Sequence, residues 1–144
     1  MTRFWSWNIS KKNLARIQKG LAPTPLEETE CFNFVQWLDL LKIKYTHINN
    51  EMFTPSFKQK ALSKKMGVKK WIPDYLIVIP AGLRNKPENK LIFIEMKNQE
   101  GGRKPPAQKA WIKLLHESEG VDAYFSNGWA EAKKIVESYF IYDT

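Results

Sequence analysis

Two periodicities alternate along this chain, and together they outline an α/β protein. Thr24-Pro25-Leu26-Glu27 reads as a helix start, with Thr24 as N-cap, Pro25 at the first helical position and Glu27 closing a Thr-x-x-Glu capping box. Cys31, Phe34, Leu38 and Leu41 follow at helical spacing with Trp37 alongside, and the helix should end near residues 42–44. Residues 45–48 alternate as a short strand, with Asn49-Asn50 as its turn, and residues 56–66 form a second helix stopped by Gly67. Residues 75–79 and 91–94 are continuous apolar runs, the pattern of strands covered on both faces. Between them lie Gly82, Asn85, Pro87 and Asn89, which predicts an antiparallel hairpin with a long tip.

Downstream, Gly101-Gly102 is a flexible joint. Pro105-Pro106 opens a helix with Gln108, Trp111, Ile112 and Leu115 on one stripe, closed by Gly120. Residues 121–126 are a further strand, and Ser126 or Asn127 should cap a last helix with Trp129, Ala132, Val136, Tyr139 and Phe140 turned inward. The first twenty residues differ. They hold Arg3, Lys11, Lys12, Arg16 and Lys19 and no acid, with an aromatic cluster of Phe4, Trp5 and Trp7. Ser10 should cap a short helix carrying Leu14 and Ile17, ended by Gly20. The break at Ala22-Pro23-Thr24-Pro25 predicts a basic arm over residues 1–22 and one domain over 23–144, an α/β fold with a mixed sheet flanked by helices.

Composition narrows the class. With 144 residues, 43% apolar and 26% charged, the chain suits a single packed core and excludes a disordered one. Its net charge of +8 points to a polyanionic partner, nucleic acid first and an acidic membrane second. The membrane reading lacks a long amphipathic helix with a continuous basic face, and no stretch approaches the length needed to span a bilayer. One cysteine, Cys31, excludes an intramolecular disulfide and any cysteine-based zinc site within the chain. Lys11 and Lys12 interrupt the N-terminal apolar residues, so no secretory signal is expected, and the location should be a reducing, cytoplasmic one.

The informative polar residues stand where apolar runs begin and end. Asp74 precedes the first buried strand; Glu95 and Lys97 end the second, two apart and therefore on one face. A hairpin centred near residue 85 places residues 95–97 opposite Asp74. Two carboxylates there make a hard-oxygen site for Mg²⁺ or Mn²⁺, and an adjacent lysine suits a water or developing negative charge. Alone, a Glu-x-Lys is usually a surface ion pair; flanking a buried strand, it calls for a partner or a task. Gln108 faces inward from the first turn of its helix, within reach of such a site. Glu30 lies four residues before Phe34, beside the buried stripe, while the capping box and helix dipole explain Glu27 and Glu28. Lys58, Lys60, Lys64, Lys65, Lys69 and Lys70 form an acid-free run, either a solvated face or a phosphate-contacting one. Neither His47 nor His116 is expected to act in chemistry, and no phosphate-cradling glycine loop is present.

Pro73-Asp74, then Glu95-x-Lys97, then Gln108-x-x-Trp111, in that order, resembles the PD-(D/E)XK nuclease superfamily and most closely its VRR-NUC (virus-type replication-repair nuclease) branch. Gly67-Val68, the segment GRKPPAQKAWIKLL, the strand VDAYFS and the helix AEAKKIVESYF extend the resemblance over residues 24–140. It implies a restriction-endonuclease-like core. Asp74 and Glu95 would hold the metal with help from the Met96 carbonyl, Lys97 would be the catalytic lysine, Gln108 the branch-specific glutamine and Glu30 the first-helix acid. Arg103 and Lys104 join the lysine run as expected DNA contacts. One departure stands out: many members have glycine two before the aspartate, where this chain has Ile72 preceded by Trp71. Stand-alone members of this size are similar to phage proteins that act as homodimers on branched DNA such as Holliday junctions.

The expectation is therefore a Mg²⁺- or Mn²⁺-dependent endonuclease acting on branched DNA, in a bacterial or phage-infected cytoplasm. A sequence-specific restriction-type enzyme and a non-catalytic DNA-binding module of the same fold are the alternatives.

Overall fold

A computed structural model describes residues 11–20, 22–48 and 56–141. One sheet carries four strands in the order β1-β2-β3-β4, namely β1 Lys44–His47, β2 Tyr75–Ile79, β3 Lys90–Lys97 and β4 Val121–Asn127. β1, β2 and β3 pair antiparallel, while β4 joins β3 in parallel, so the sheet is mixed as expected. The helices are α1 Lys11–Gln18, α2 Glu27–Leu40, α3 Phe57–Lys65, α4 Ala81–Arg84, α5 Pro106–His116 and α6 Trp129–Glu137. A parallel pair needs a crossover, and α5 supplies it between β3 and β4.

The β2–β3 hairpin pairs Tyr75 with Ile94 and Ile79 with Lys90. Its tip is ordered by its own side chains, and the short helix α4 inside it was not foreseen. The Ala81 N–H donates to Asn89 Oδ1 at 2.9 Å, and Arg84 donates to the Glu88 carbonyl at 2.6 Å. Asn85 ends α4 in the left-handed region, with φ +50°, where asparagine is tolerated. A tip held this way fixes the strand register.

Burial along β2 alternates: Tyr75, Ile77 and Ile79 are buried, Leu76 and Val78 only half-buried. The expectation of two equally covered faces is thus corrected. One face, continued by Ile92, Ile94 and Met96, packs under α2 and α6 with Phe34, Leu38, Ala132 and Val136. The ring of Phe34 meets Tyr75 edge-on at 5.6 Å. The other face is covered in part, with α5 lying against β4. A continuous apolar run does not distinguish these cases, because half-buried positions also favour Leu, Val and Phe.

Two helix starts also differ from expectation. α2 begins at Glu27, after the N-cap Leu26 in extended conformation, with no side-chain cap. Thr24 does not cap it; its own N–H donates to Asn13 Oδ1 at 2.9 Å, and Arg16 Nε donates to the Ala22 carbonyl at 2.9 Å, so the entry segment is drawn toward α1. Glu27, Glu28 and Glu30 in the first turn favour the positive end of the helix dipole instead. α2 ends at Leu40, which leaves Leu41 exposed rather than on the buried stripe. α6 has Gly128 as N-cap, not Ser126 or Asn127. Ser126 Oγ is engaged in donating to the Gly128 carbonyl at 2.8 Å.

Leu14 and Ile17 of α1 are exposed, and the helix is tied instead by charge: Lys12 and Arg16 reach Glu100 at 2.5 and 3.1 Å. Beyond the end of α6, the Tyr139 hydroxyl bonds Asp122, lies 2.5 Å from the Tyr124 hydroxyl and so fixes the segment after α6 to β4. The turn expected at Asn49-Asn50, the cap at Ser10, and Arg3, Phe4, Trp5 and Trp7 lie outside the described residues. No described helix is long and apolar enough to cross a membrane.

Candidate active site

Continuing the β2–β3 register by one residue sets Asp74 opposite Glu95. There the ladder passes from backbone to side chains. The Asp74 N–H donates to Glu95 Oε2 at 3.0 Å, and the Met96 N–H donates to Asp74 Oδ2 at 2.9 Å. In an antiparallel strand a residue's N–H and C=O point toward the same neighbour, so the Met96 carbonyl also faces the Asp74 side. Its side chain is buried on the opposite face, under α2 and α6.

Lys97 shares the face of Glu95, with Nζ 3.8 Å from Oε1, and its side chain is only 8% exposed. The loop after β3 folds over it. Nζ donates to the Arg103 carbonyl at 2.7 Å. A Cβ on Gly102 would stand 3.2 Å from Lys97 Cδ, so a bare backbone suits this close approach. Gln108, buried in the first turn of α5, donates from Nε2 to Glu95 Oε1 at 2.5 Å. Its own Oε1 is buried without a hydrogen-bond partner among the described residues. Asp74, Glu95, Lys97 and Gln108 thus converge.

Glu30 is placed differently. It is 1% exposed, accepts from Gln99 Nε2 at 2.9 Å on Oε1 and from the Trp129 N–H at 2.7 Å on Oε2. Its carboxylate therefore caps α6 from a position 99 residues earlier in the chain. Gly128 keeps φ +90°, and a Cβ there would meet Glu30 Oε2 at 3.1 Å. Glu27, one turn earlier, senses the site. Desolvation holds its carboxyl above the ordinary value, the Asp74 charge adds to this, and Lys97 opposes it. The capping-box reading hid Glu27; the missing signal was tertiary, since Asn13 occupies Thr24.

Burial raises the Glu95 carboxyl to about 8, the Asp74 charge adds to this, and Lys97 pulls it back. Burial likewise raises Asp74, against the Met96 N–H and the nearby His47 and Lys97 charges. Without a cation the pair therefore retains a proton near neutrality. Folded Glu95 keeps that proton where the unfolded chain, with an ordinary value of 4.5, has released it. The resulting stabilisation is full below pH 4.5 and is lost as pH rises through about 8. In EDTA, melting temperature is expected to fall from pH 5 to pH 9 more steeply for the native chain than for Glu95→Gln. Equal slopes would contradict the assignment.

No group of three or more His, Cys, Asp or Glu side chains suited to a metal occurs among the described residues. A cation here would meet two carboxylates, the Met96 carbonyl and Gln108 Oε1. This all-oxygen set fits Mg²⁺ or Mn²⁺, ions that take few carboxylates and keep several waters. Each carboxylate retains lone pairs beyond those used by the N–H groups. Cys31 does not compete, because burial pushes its thiol up to about 11.

The basic residues expected to contact DNA are all exposed. Lys58, Lys60, Lys64 and Lys65 lie on α3, Lys69 and Lys70 follow it, and Arg103 and Lys104 lie on the loop over Lys97. Lys104 Nζ sits 4.7 Å above the Phe125 ring. His116 accepts from the Ala123 N–H at 3.2 Å, and His47 meets Tyr75 edge-on.

No family model and no curated protein matches this chain. A solved structure described as a VRR_NUC domain protein matches 80% of this chain and 88% of its own, with a TM-score of 0.59 and 24% sequence identity. The chain shares that protein's fold, in agreement with a restriction-endonuclease-like core and with the resemblance read from the sequence.

Proposed function

We propose that this protein is a metal-dependent DNA endonuclease of VRR-NUC type that cuts branched DNA. The observation that carries the reading is the pair of carboxylates cross-bonded to opposite backbones, Glu95 accepting from the Asp74 N–H and Asp74 from the Met96 N–H, with Lys97 Nζ 3.8 Å from Glu95 Oε1, at one end of a sheet. Buried carboxyls held above their ordinary range are poised to exchange a proton for a cation. Asp74 and Glu95 would hold a divalent cation, whose charge would polarise a phosphoryl oxygen and acidify a water. Lys97, desolvated and aimed along the same face, stabilises charge developing on the phosphate. Gln108 orients a water that donates to Oε1, the amide end without a hydrogen-bond partner among the described residues. The Glu27 carboxyl feels the Asp74 and Lys97 charges from α2, and Glu30 acts as a positioning residue through α6. The lysines of residues 58–70, with Arg103 and Lys104, hold the phosphate backbone.

Two copies acting together suit symmetric nicking of a four-way junction. The deciding experiment is a gel assay on a four-way junction, a flap and a linear duplex, each with Mg²⁺, Mn²⁺ or EDTA. Metal-dependent nicking that favours the junction is expected. Cutting of plain duplex at fixed sites points to a restriction-type enzyme. DNA binding with no product under either metal leaves a binding module and overturns the proposal.

A further inference from the structure

Trp71 stands three residues before Asp74 with φ +74°, in the left-handed region. The other non-glycine residues there among those described are Lys42 and Asn85, both closing helices. A bulky aromatic residue in this region is an outlier, and glycine adopts it without strain. Such strain persists where the surroundings impose it, and an observed outlier is a reason to look for a task.

Trp71 is 39% exposed, and its indole has no ring partner among the described residues. Its chain neighbourhood shares this character. α3 buries none of its residues, and Phe57 and Met66 are 89% and 77% exposed. Residues 56–73 contain six lysines and no acid. Exposed apolar groups within an unbroken field of positive charge suit a ligand that is both polyanionic and aromatic, which describes single-stranded or unstacked DNA. A second copy fits poorly, because a two-fold contact through this patch sets the same lysines against each other. Three residues of chain reach at most about 10 Å, a span of about three stacked bases. The indole therefore serves a base close to the phosphate held at Asp74 and Glu95.

We propose that Trp71 is a stacking platform for an unpaired base beside the reacting phosphate, the device by which this chain selects DNA with open or branched structure. This rests on the nuclease reading and adds to it a specificity-determining residue.

The test uses the full chain in EDTA, so that binding is read apart from cleavage. Native protein, Trp71→Gly and Trp71→Phe are titrated against a fluorescein-labelled four-way junction and a linear duplex of equal length. A second junction carries 2-aminopurine at its branch point. Trp71→Gly is expected to weaken junction binding about tenfold while duplex affinity stays within about twofold. Trp71→Phe should recover most of the loss. The dependence on salt should not change, because no charge is removed. Native protein should quench 2-aminopurine more than Trp71→Gly does. Melting temperature should not fall in Trp71→Gly, which relieves the left-handed strain. Equal losses on both substrates, no loss, or failure of Trp71→Phe to rescue would overturn the proposal. So would a loss that tracks conversion of dimer to monomer, which would assign the patch to a contact between copies. Absence of cleavage in the gel assay would sink the nuclease reading alone, since the affinity difference is measured independently.

Discussion

Lys97→Met should still fold and bind DNA but cleave it about 10³-fold more slowly. Methionine replaces the lysine stem with little change in volume, so the loop over it keeps its packing. The Arg103 carbonyl, on an exposed residue, gains water in place of Nζ. What disappears is the cation 3.8 Å from Glu95. Two consequences follow, and they separate with pH. Glu95 loses the charge that pulls its carboxyl down, so a larger fraction stays protonated at neutrality. The developing charge on the phosphate also loses its stabilising partner. Assays at pH 9 raise the ionised fraction of Glu95 without restoring the ammonium, so the rate should remain low. Full recovery at pH 9 would reduce Lys97 to a role in ionising its neighbour. Asp74→Ala is expected to abolish cleavage with binding largely intact; full cleavage by that variant would remove the site assignment.

Glu30→Ala is expected to cost about 3 kcal/mol and to lower the melting temperature by roughly 10 °C, the largest stability effect we anticipate. The carboxylate is buried and serves two donors, the Gln99 amide and the Trp129 N–H. Its loss leaves both without a partner and uncaps α6 where Gly128 has no side chain to replace it. Glutamine in its place accepts from one donor but turns an NH₂ toward the other, so Glu30→Gln should recover only part of the loss. Glu27→Gln provides the contrast. It should change melting little and lower the cleavage rate, because Glu27 feels the Asp74 and Lys97 charges and makes no side-chain cap on α2. Thermal melts and single-turnover rates on the three variants decide between these roles; an unchanged melt for Glu30→Ala would refute the cap.

The central pairing was legible because it is local. Asp74 and Glu95 end two apolar runs joined by a turn rich in proline, glycine and asparagine, and such a hairpin admits few registers. Gln108 was legible as an inward residue because its helix has a clear stripe. Contacts that cross the chain were not legible. Nothing near Thr24 signals that Asn13 will take its N–H, and nothing near Gly128 signals a cap from Glu30. Each depends on packing that brings distant segments together. The unequal covering of the two sheet faces was hidden for a related reason: a half-buried strand face accepts the same β-branched residues as a buried one.

Because each carboxylate accepts from a backbone N–H of the opposite strand within a single hairpin, the constellation belongs to a strand register rather than to its surroundings. The helices need only keep water away and bring Gln108 and the caps into place. A lineage carrying this hairpin is free to rewrite most of its sequence through neutral drift, so long as substitutions still cover the sheet. The tip is the exception. Residues added so that they bulge from α4 are tolerated, whereas a slip of one position in β3 turns Glu95 and Lys97 to the opposite face and disarms the molecule in one step. Inheritance of the chemistry is then governed by alignment between two strands more than by overall similarity.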